Sequence, residues 1–285
     1  KEADNVQISN MSALNHTATA LVCGLLIFGF SARAKEPTYP TVLENEVLRV
    51  SFDAAQQAGT GARFDVFDKR TTRTWRQIDA GVKASDFHAS KDSASFNLIL
   101  PGHAKGYRAT IRLEPNLPEF TVEISGPTNT EVRAPVFYPS AFASAPGDRI
   151  IVPIGEGISY PAETVDAPLG NRPYYSGHGI TMAFFAAMED KILPSGEATG
   201  GAAYLAICET PDNSGIDLLH AEVGKGLLTV RPVWGADRGR FGYARRIRFV
   251  FFDGGGHVAI CKRYRRYAQE RGLVVSFAEK IRQNP

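Results

Sequence analysis

The sequence predicts a mainly β protein, a large antiparallel β-sandwich followed by short C-terminal helices, on three observations. Apolar runs of strand length recur along most of the chain, breaks containing Gly, Pro or Asn separate them, and helical periodicity is confined to the segment after Asp253. Strand following strand in this way argues for stacked sheets rather than alternating β-α units.

The runs, period-two or continuous, are Val47 to Phe52, Arg63 to Phe67, Ser95 to Leu100, Arg108 to Leu113, Phe120 to Ile124 and Arg149 to Val152. They continue with Ile180 to Met188, Ala202 to Cys208, Leu227 to Val233 and Ile247 to Phe252. Turn signals such as Pro101-Gly102, Gly126-Pro127 and Pro146-Gly147 fall between them. Trp75 and Trp234 end strand-like segments and read as core. Gly254-Gly255-Gly256 then releases the last strand, and Val258, Cys261, Tyr264 and Ala268 share one face of a following helix that Gly272 stops. Ser276 opens a second helical stretch to Arg282, with Glu279 three residues on, the pattern of a capping box.

At 285 residues, 44% hydrophobic and 22% charged, the chain can bury a core of its own. Lys+Arg 32 against Asp+Glu 30 leaves a net charge of +2, which gives no field to gather phosphate backbones and excludes nucleic acid as the expected partner. Six histidines and three cysteines lack the close pairing of zinc sites, so neither a metal nor another cofactor is expected.

From Met11 an apolar run, Ala18 to Phe30, leads into Ala32-Arg33-Ala34, the pattern of a secretory signal peptide cleaved after Ala34. The run is shorter than the roughly 20 residues of a spanning helix, so the expectation is a secreted or periplasmic protein with no membrane anchor after cleavage. Residues 1–10 read as sequence upstream of the start. The division expected is 1–34 leader, 35–253 sandwich, and 254–285 a helical linker. Of the cysteines left, Cys208 and Cys261 either pair in an oxidising compartment or, the favoured reading, are two buried free thiols.

Leu43-Glu44-Asn45-Glu46-Val47-Leu48-Arg49-Val50, then Asp65-Val66-Phe67-Asp68-Lys69-Arg70-Thr71-Thr72-Arg73-Thr74-Trp75, resemble the opening of the galactose-mutarotase-like β-sandwich that precedes a (β/α)8 barrel in several bacterial glycoside hydrolase families. Tyr138-Pro139, Ile151 to Gly157, and the stretch from Lys262-Arg263-Tyr264 to Lys280-Ile281-Arg282 extend the resemblance over most of residues 43–285. Endo-α-N-acetylgalactosaminidase-like enzymes are among the related families. Thr72 departs from the pattern, standing where a turn of left-handed geometry would take Gly. The resemblance implies catalytic carboxylates on a barrel that this chain does not include, hence a front-end domain without catalytic residues.

Five residues are candidate sugar contacts. Glu156 lies between Gly155 and Gly157 in a loop whose backbone can approach a ligand, or the glycines simply shape a turn. Tyr160, Tyr174 and Tyr175 offer apolar faces to pyranose C–H groups and hydroxyls to the ring rim, the two latter in a long loop from Pro161 to Gly179; core anchoring is the alternative. His178, between two glycines, is the histidine best placed to be exposed, and an aldose epimerase would need such a group paired with a carboxylate. Arg245-Arg246-Arg248 and Lys262-Arg263-Arg265-Arg266 read as solvated faces or interdomain ion-pair donors. The expected function is a non-catalytic domain of a secreted glycoside hydrolase that supports a carbohydrate site and lends a loop to it. A stand-alone carbohydrate-binding or scaffolding domain is the alternative, and an aldose-epimerase-like enzyme a third.

Overall fold

The structure, a computed structural model, describes residues 42–52, 61–126, 131–132, 134–175, 179–191, 200–222 and 225–283. All of them belong to one compact unit, Tyr39–Pro285. The leader and His178 lie outside the described residues.

The protein is mainly β, as its residue pattern demands. Strands β1 (Val42–Glu44), β2 (Leu48–Phe52), β3 (Phe64–Asp68) and β4 (Arg73–Arg76) form an antiparallel meander in that order. A large sheet takes β5 (Lys83–Ala89), β6 (Ser93–Ile99), β7 (Tyr107–Leu113), β8 (Glu119–Ser125), β9 (Asp148–Val152) and β10 (Ile158–Pro161). It is completed by β13 (Phe184–Glu189), β14 (Ala203–Cys208) and β17 (Arg245–Phe252), in the order β10-β9-β13-β14-β17-β8-β7-β6-β5 with antiparallel neighbours throughout. The third sheet runs β12 (Gly179–Ile180), β11 (Tyr174–Tyr175), β15 (Ser214–Glu222), β16 (Lys225–Trp234).

Alternation along β2, β3, β6 and β7 turns Leu48, Val50, Phe64, Val66, Phe96, Leu98, Ala109 and Ile111 inward, where the three sheets share one core. Aromatic rings bridge its middle: Phe142 meets Tyr204 edge-on at 5.3 Å and Phe120 stacks on Phe249 at 5.1 Å. Trp75 and Trp234 are buried at 1% and 0% exposure, as the sequence reading expects.

Strands β13 and β14 do not alternate because both of their faces are covered. Phe185, Ala187, Tyr204 and Ala206 join the shared core. Phe184, Ala186, Met188, Leu205 and Ile207 meet helix α1 (Gly256–Glu270) on the other side. The face that α1 applies shares Tyr264 and Ala268 with the one read from the sequence, but not Val258 and Cys261. Ile260, Tyr267 and Ala268 are buried and Tyr264 packs tilted against Phe184 at 4.7 Å, whereas Val258 is 61% exposed and Cys261 is exposed. Positions 260, 264, 267 and 268 form an i, i+4, i+7, i+8 stripe, and the ridge of β13 and β14 selects it over the stripe carrying Val258 and Cys261. Cys208 is a buried free thiol, as favoured; Cys261 is free but at the surface.

Close approach fixes where α1 starts: a Cβ on Gly200 would lie 2.5 Å from the Gly256 Cα. Gly272 ends the helix at φ +68°, as its position suggests. Helix α2 (Phe277–Gln283) carries the expected reciprocal cap, Ser276 N–H donating to Glu279 at 2.8 Å and Glu279 N–H donating to the Ser276 hydroxyl at 3.2 Å. Thr72 does adopt the left-handed conformation, at φ +57°, which costs a β-branched residue about 1 kcal/mol. Among the described residues no helix is long and apolar enough to cross a membrane.

Candidate functional site

The β9–β10 hairpin brings Glu156 to its tip. Val152 pairs with Ile158, the Gly157 N–H donates to the Ile154 carbonyl at 2.9 Å, and Gly155 and Gly157 hold φ +59° and +98°. Those angles, and not space, are what the glycines supply, since a Cβ at either would meet nothing within 4 Å. Glu156 itself is exposed. Beside the tip, Ile154 bridges to Ile180, and the Thr181 N–H and hydroxyl each donate to the Pro153 carbonyl at 2.9 Å. Ile180 in turn pairs with Tyr175. The Glu156 turn and Tyr175 therefore sit on backbone tracks two strand spacings apart, about 10 Å.

The tyrosines of this corner are half-buried. Tyr160 and Tyr175 rest against the shared core. Tyr174 points the other way, over Gly215 and Gly235, each of whose added Cβ atoms would come within 3.2 Å of its ring. Burial, with a smaller push from Asp217 and against a pull from Arg172, raises the Tyr174 phenol above its ordinary range, so it stays a neutral hydrogen-bonding group near pH 7.

A constellation absent from the sequence reading pins the long loop here. Arg172 donates to one oxygen of Asp217 at 3.0 Å and Arg231 to the other at 2.7 Å, and both guanidiniums lie over Phe137, at 4.8 and 4.2 Å. Such charge-assisted contacts fix the last residues of the loop to β15 and β16.

The basic clusters are solvated faces only in part: Lys262, Arg265 and Arg266 are exposed on α1, whereas Arg263 and the arginines of β17 are engaged within the domain. Arg248 reaches Glu209 at 2.6 Å, Glu114 at 2.9 Å and Glu119 at 3.1 Å, Arg246 pairs with Glu209 at 2.7 Å, and Arg263 of α1 donates to Glu119 at 2.8 Å. These pairs lie within the domain and tie α1 to the sheet. Arg245 is 0% exposed, donates to the Tyr243 and Gly235 carbonyls and stacks on Tyr243 at 3.3 Å. The alternation that places Arg246 and Arg248 outward necessarily points Arg245 inward. Buried Asp68, Asp148, Glu119, Asp217 and Glu209 are all engaged by arginine, so their oxygens serve ion pairs.

A second polar constellation lies on the outer face of the large sheet. A bulge between Ser85 and His88 sets Asp86 at φ +54°, and the His88 Nε2–H donates to it at 2.8 Å. That bond, helped by Arg108, holds the Asp86 carboxyl below the usual carboxylate range. Among the described residues no group of three or more His, Cys, Asp or Glu is placed to hold a metal ion.

The fold is a mainly antiparallel β-sandwich, and the solved structures agree at that level. The chain is similar to the α-N-acetylgalactosaminidase NagBb from Bifidobacterium bifidum in its GalNAc complex, with TM-score 0.66 and 23% identity over 86% of this chain and 41% of that one. The ligand-free form of the same enzyme gives TM-score 0.64 at 23% identity over the same shares. At that identity the likeness shows the fold, and the chain spans 41% of its neighbour's length. No family model matches the chain, and no curated protein does.

Proposed function

We propose that this chain is the non-catalytic sandwich domain of a secreted or periplasmic glycoside hydrolase, supporting a carbohydrate site carried on a barrel domain and lending a loop to it. The observation that carries this reading is the likeness over 86% of the chain to a region making up 41% of an α-N-acetylgalactosaminidase. Three features support the finer parts. The loop that ends at Tyr174 is anchored at its base by Asp217, which suits a segment projecting toward a neighbouring site. Leu273, Val274, Val275, Phe277 and Ile281 are 59%, 46%, 37%, 78% and 52% exposed, an apolar strip of the kind a further domain covers. The Met11–Ala34 pattern supports export.

In this reading Glu156, Tyr160, Tyr175 and His178 contact substrate at the edge of the site, and the carboxylates that cleave the glycosidic bond come from the barrel. Incubating the chain with p-nitrophenyl α-N-acetylgalactosaminide and related aryl glycosides tests it. No turnover above buffer is expected; turnover that survives repurification would overturn the non-catalytic assignment.

A further inference from the structure

We propose that the open outer face of β5 to β8 is a binding surface for a neutral saccharide chain, laid along the row Ser85, Asn97, Arg108, Ser125 and gripped by Asp86 and His88. This rests on the carbohydrate-related reading of the fold but assigns a site away from the Glu156 corner.

Strand register builds the row. Ser85 pairs with Asn97, Asn97 with Arg108 and Arg108 with Ser125, so four polar side chains from four strands stand in line over three strand gaps, about 14 Å. The row lines a groove of about 530 Å³ whose apolar side is Ile99, 52% exposed. Helix α1 packs on β13 and β14, and Ser85, Asp86, Arg108 and Ser125 are exposed.

The bulge in β5 re-aims one residue. A regular strand would point one of Ser85 and Asp86 inward; here both face out while Phe87 turns into the core, 5.1 Å from Phe52. Asp86 accepts the left-handed strain that this requires, and the gain is a carboxylate beside His88 at the head of the row.

The chemistry matches hydroxyl pairs. A carboxylate, an amide and a guanidinium each present two polar atoms in one plane, which can engage two neighbouring hydroxyls at once. Arg108 is held firmly by Ser95 at 2.7 Å, but its bonds to Asn97 and Asp86 are 3.2 and 3.4 Å, and Asn97 donates to Asp86 at 3.4 Å. Bonds at the long end of the range yield readily to a hydroxyl inserted between the partners. Asp86 and Arg108 cancel in charge, so a neutral chain fits better than a sulfated or uronic one.

Electrophoresis of the full chain through gels containing galactomannan, desialylated mucin or heparin tests the assignment. The wild-type chain is expected to be retarded by at least one of the two uncharged-rich polymers. Arg108→Ala and Asn97→Ala should each weaken that binding about tenfold, the effect of one lost charge-assisted hydrogen bond. Ser85→Trp, which fills the groove without touching the network, should abolish it, and Lys262→Ala on α1 should not change it. Unaltered binding by the row variants, retardation by heparin alone, or no retardation at all would each overturn the site. Glycan binding that ignores these variants would leave the support-domain reading standing, whereas aryl glycoside turnover would remove that reading and leave the row intact.

Discussion

Asp217 is 3% exposed in the middle of β15, a position where an unpaired carboxylate would be costly, and Arg172 and Arg231 are what make it tolerable. Replacing it with Ala strands the Arg231 guanidinium and frees the loop base. A loss of about 3 kcal/mol in urea unfolding is expected, a value toward the low end for a broken buried pair because Arg172 is itself 40% exposed. Cys208 gives a pH signature. Burial pushes its thiol up to about 12 from the ordinary 9.0, against a smaller opposing hydrogen bond with Ser214. Between those values the folded state keeps a proton that the unfolded chain releases, so this contribution is complete below pH 9 and is lost as pH rises through the window, by at most about 1.4 kcal/mol per pH unit. Burial likewise raises the Tyr264 phenol, to about 12, and adds to the same alkaline fall. Melting temperature should therefore drop from pH 9 to 11, and less steeply in Cys208→Ala. Peptide mapping after alkylation at pH 8 should find Cys261 modified and Cys208 untouched until the chain unfolds.

Helix α1 and helix α2 are adjacent in sequence and opposite in energetic role. Ile260 is fully buried on β13 and β14, and Ile260→Ala should cost about 2–4 kcal/mol through lost burial and the cavity left behind. All of α2 is exposed, so Phe277→Ser with Ile281→Ser should change stability by less than about 0.5 kcal/mol while lowering the binding of an apolar dye. Equal losses from both changes would contradict the packing. Element by element, the sequence was most readable where the physics is local. The Ser276–Glu279 cap and the Gly272 stop follow from backbone chemistry within a few residues. Strands β5 and β15 escape pattern reading for different reasons: the bulge at Asp86 shifts the alternation of one, and in the other Asp217 is buried beneath arginines on the face opposite the core-facing Ile216 and Leu218, so both faces are covered. The helix face is legible only in part: Tyr264 and Ala268 do pack on the sheet, while Val258 and Cys261 read as apolar beside them and only the shape of the sheet beneath excludes them.

At the level of the whole molecule, the sandwich was legible because repeated short apolar runs with turn residues between them admit few other arrangements. The polar constellations were not, since they arise from register and not from spacing. Arg172, Asp217 and Arg231 meet across separations of 45 and 14 residues, and the Ser85–Asn97–Arg108–Ser125 line exists only once four strands are paired. Arg248 shows the same thing at larger range, joining Glu114 from 134 residues away, which turns an apparently basic stripe into an internal clamp. The nine strands of the large sheet also leave two rims. One ends in β10, four residues long and closed by Pro161, which has no N–H to offer; the other is β5, kinked at Asp86 and studded with Lys83 and His88. Neither rim gives an incoming chain a flat template, so a protein built around so much continuous sheet remains poorly suited to templated fibril growth.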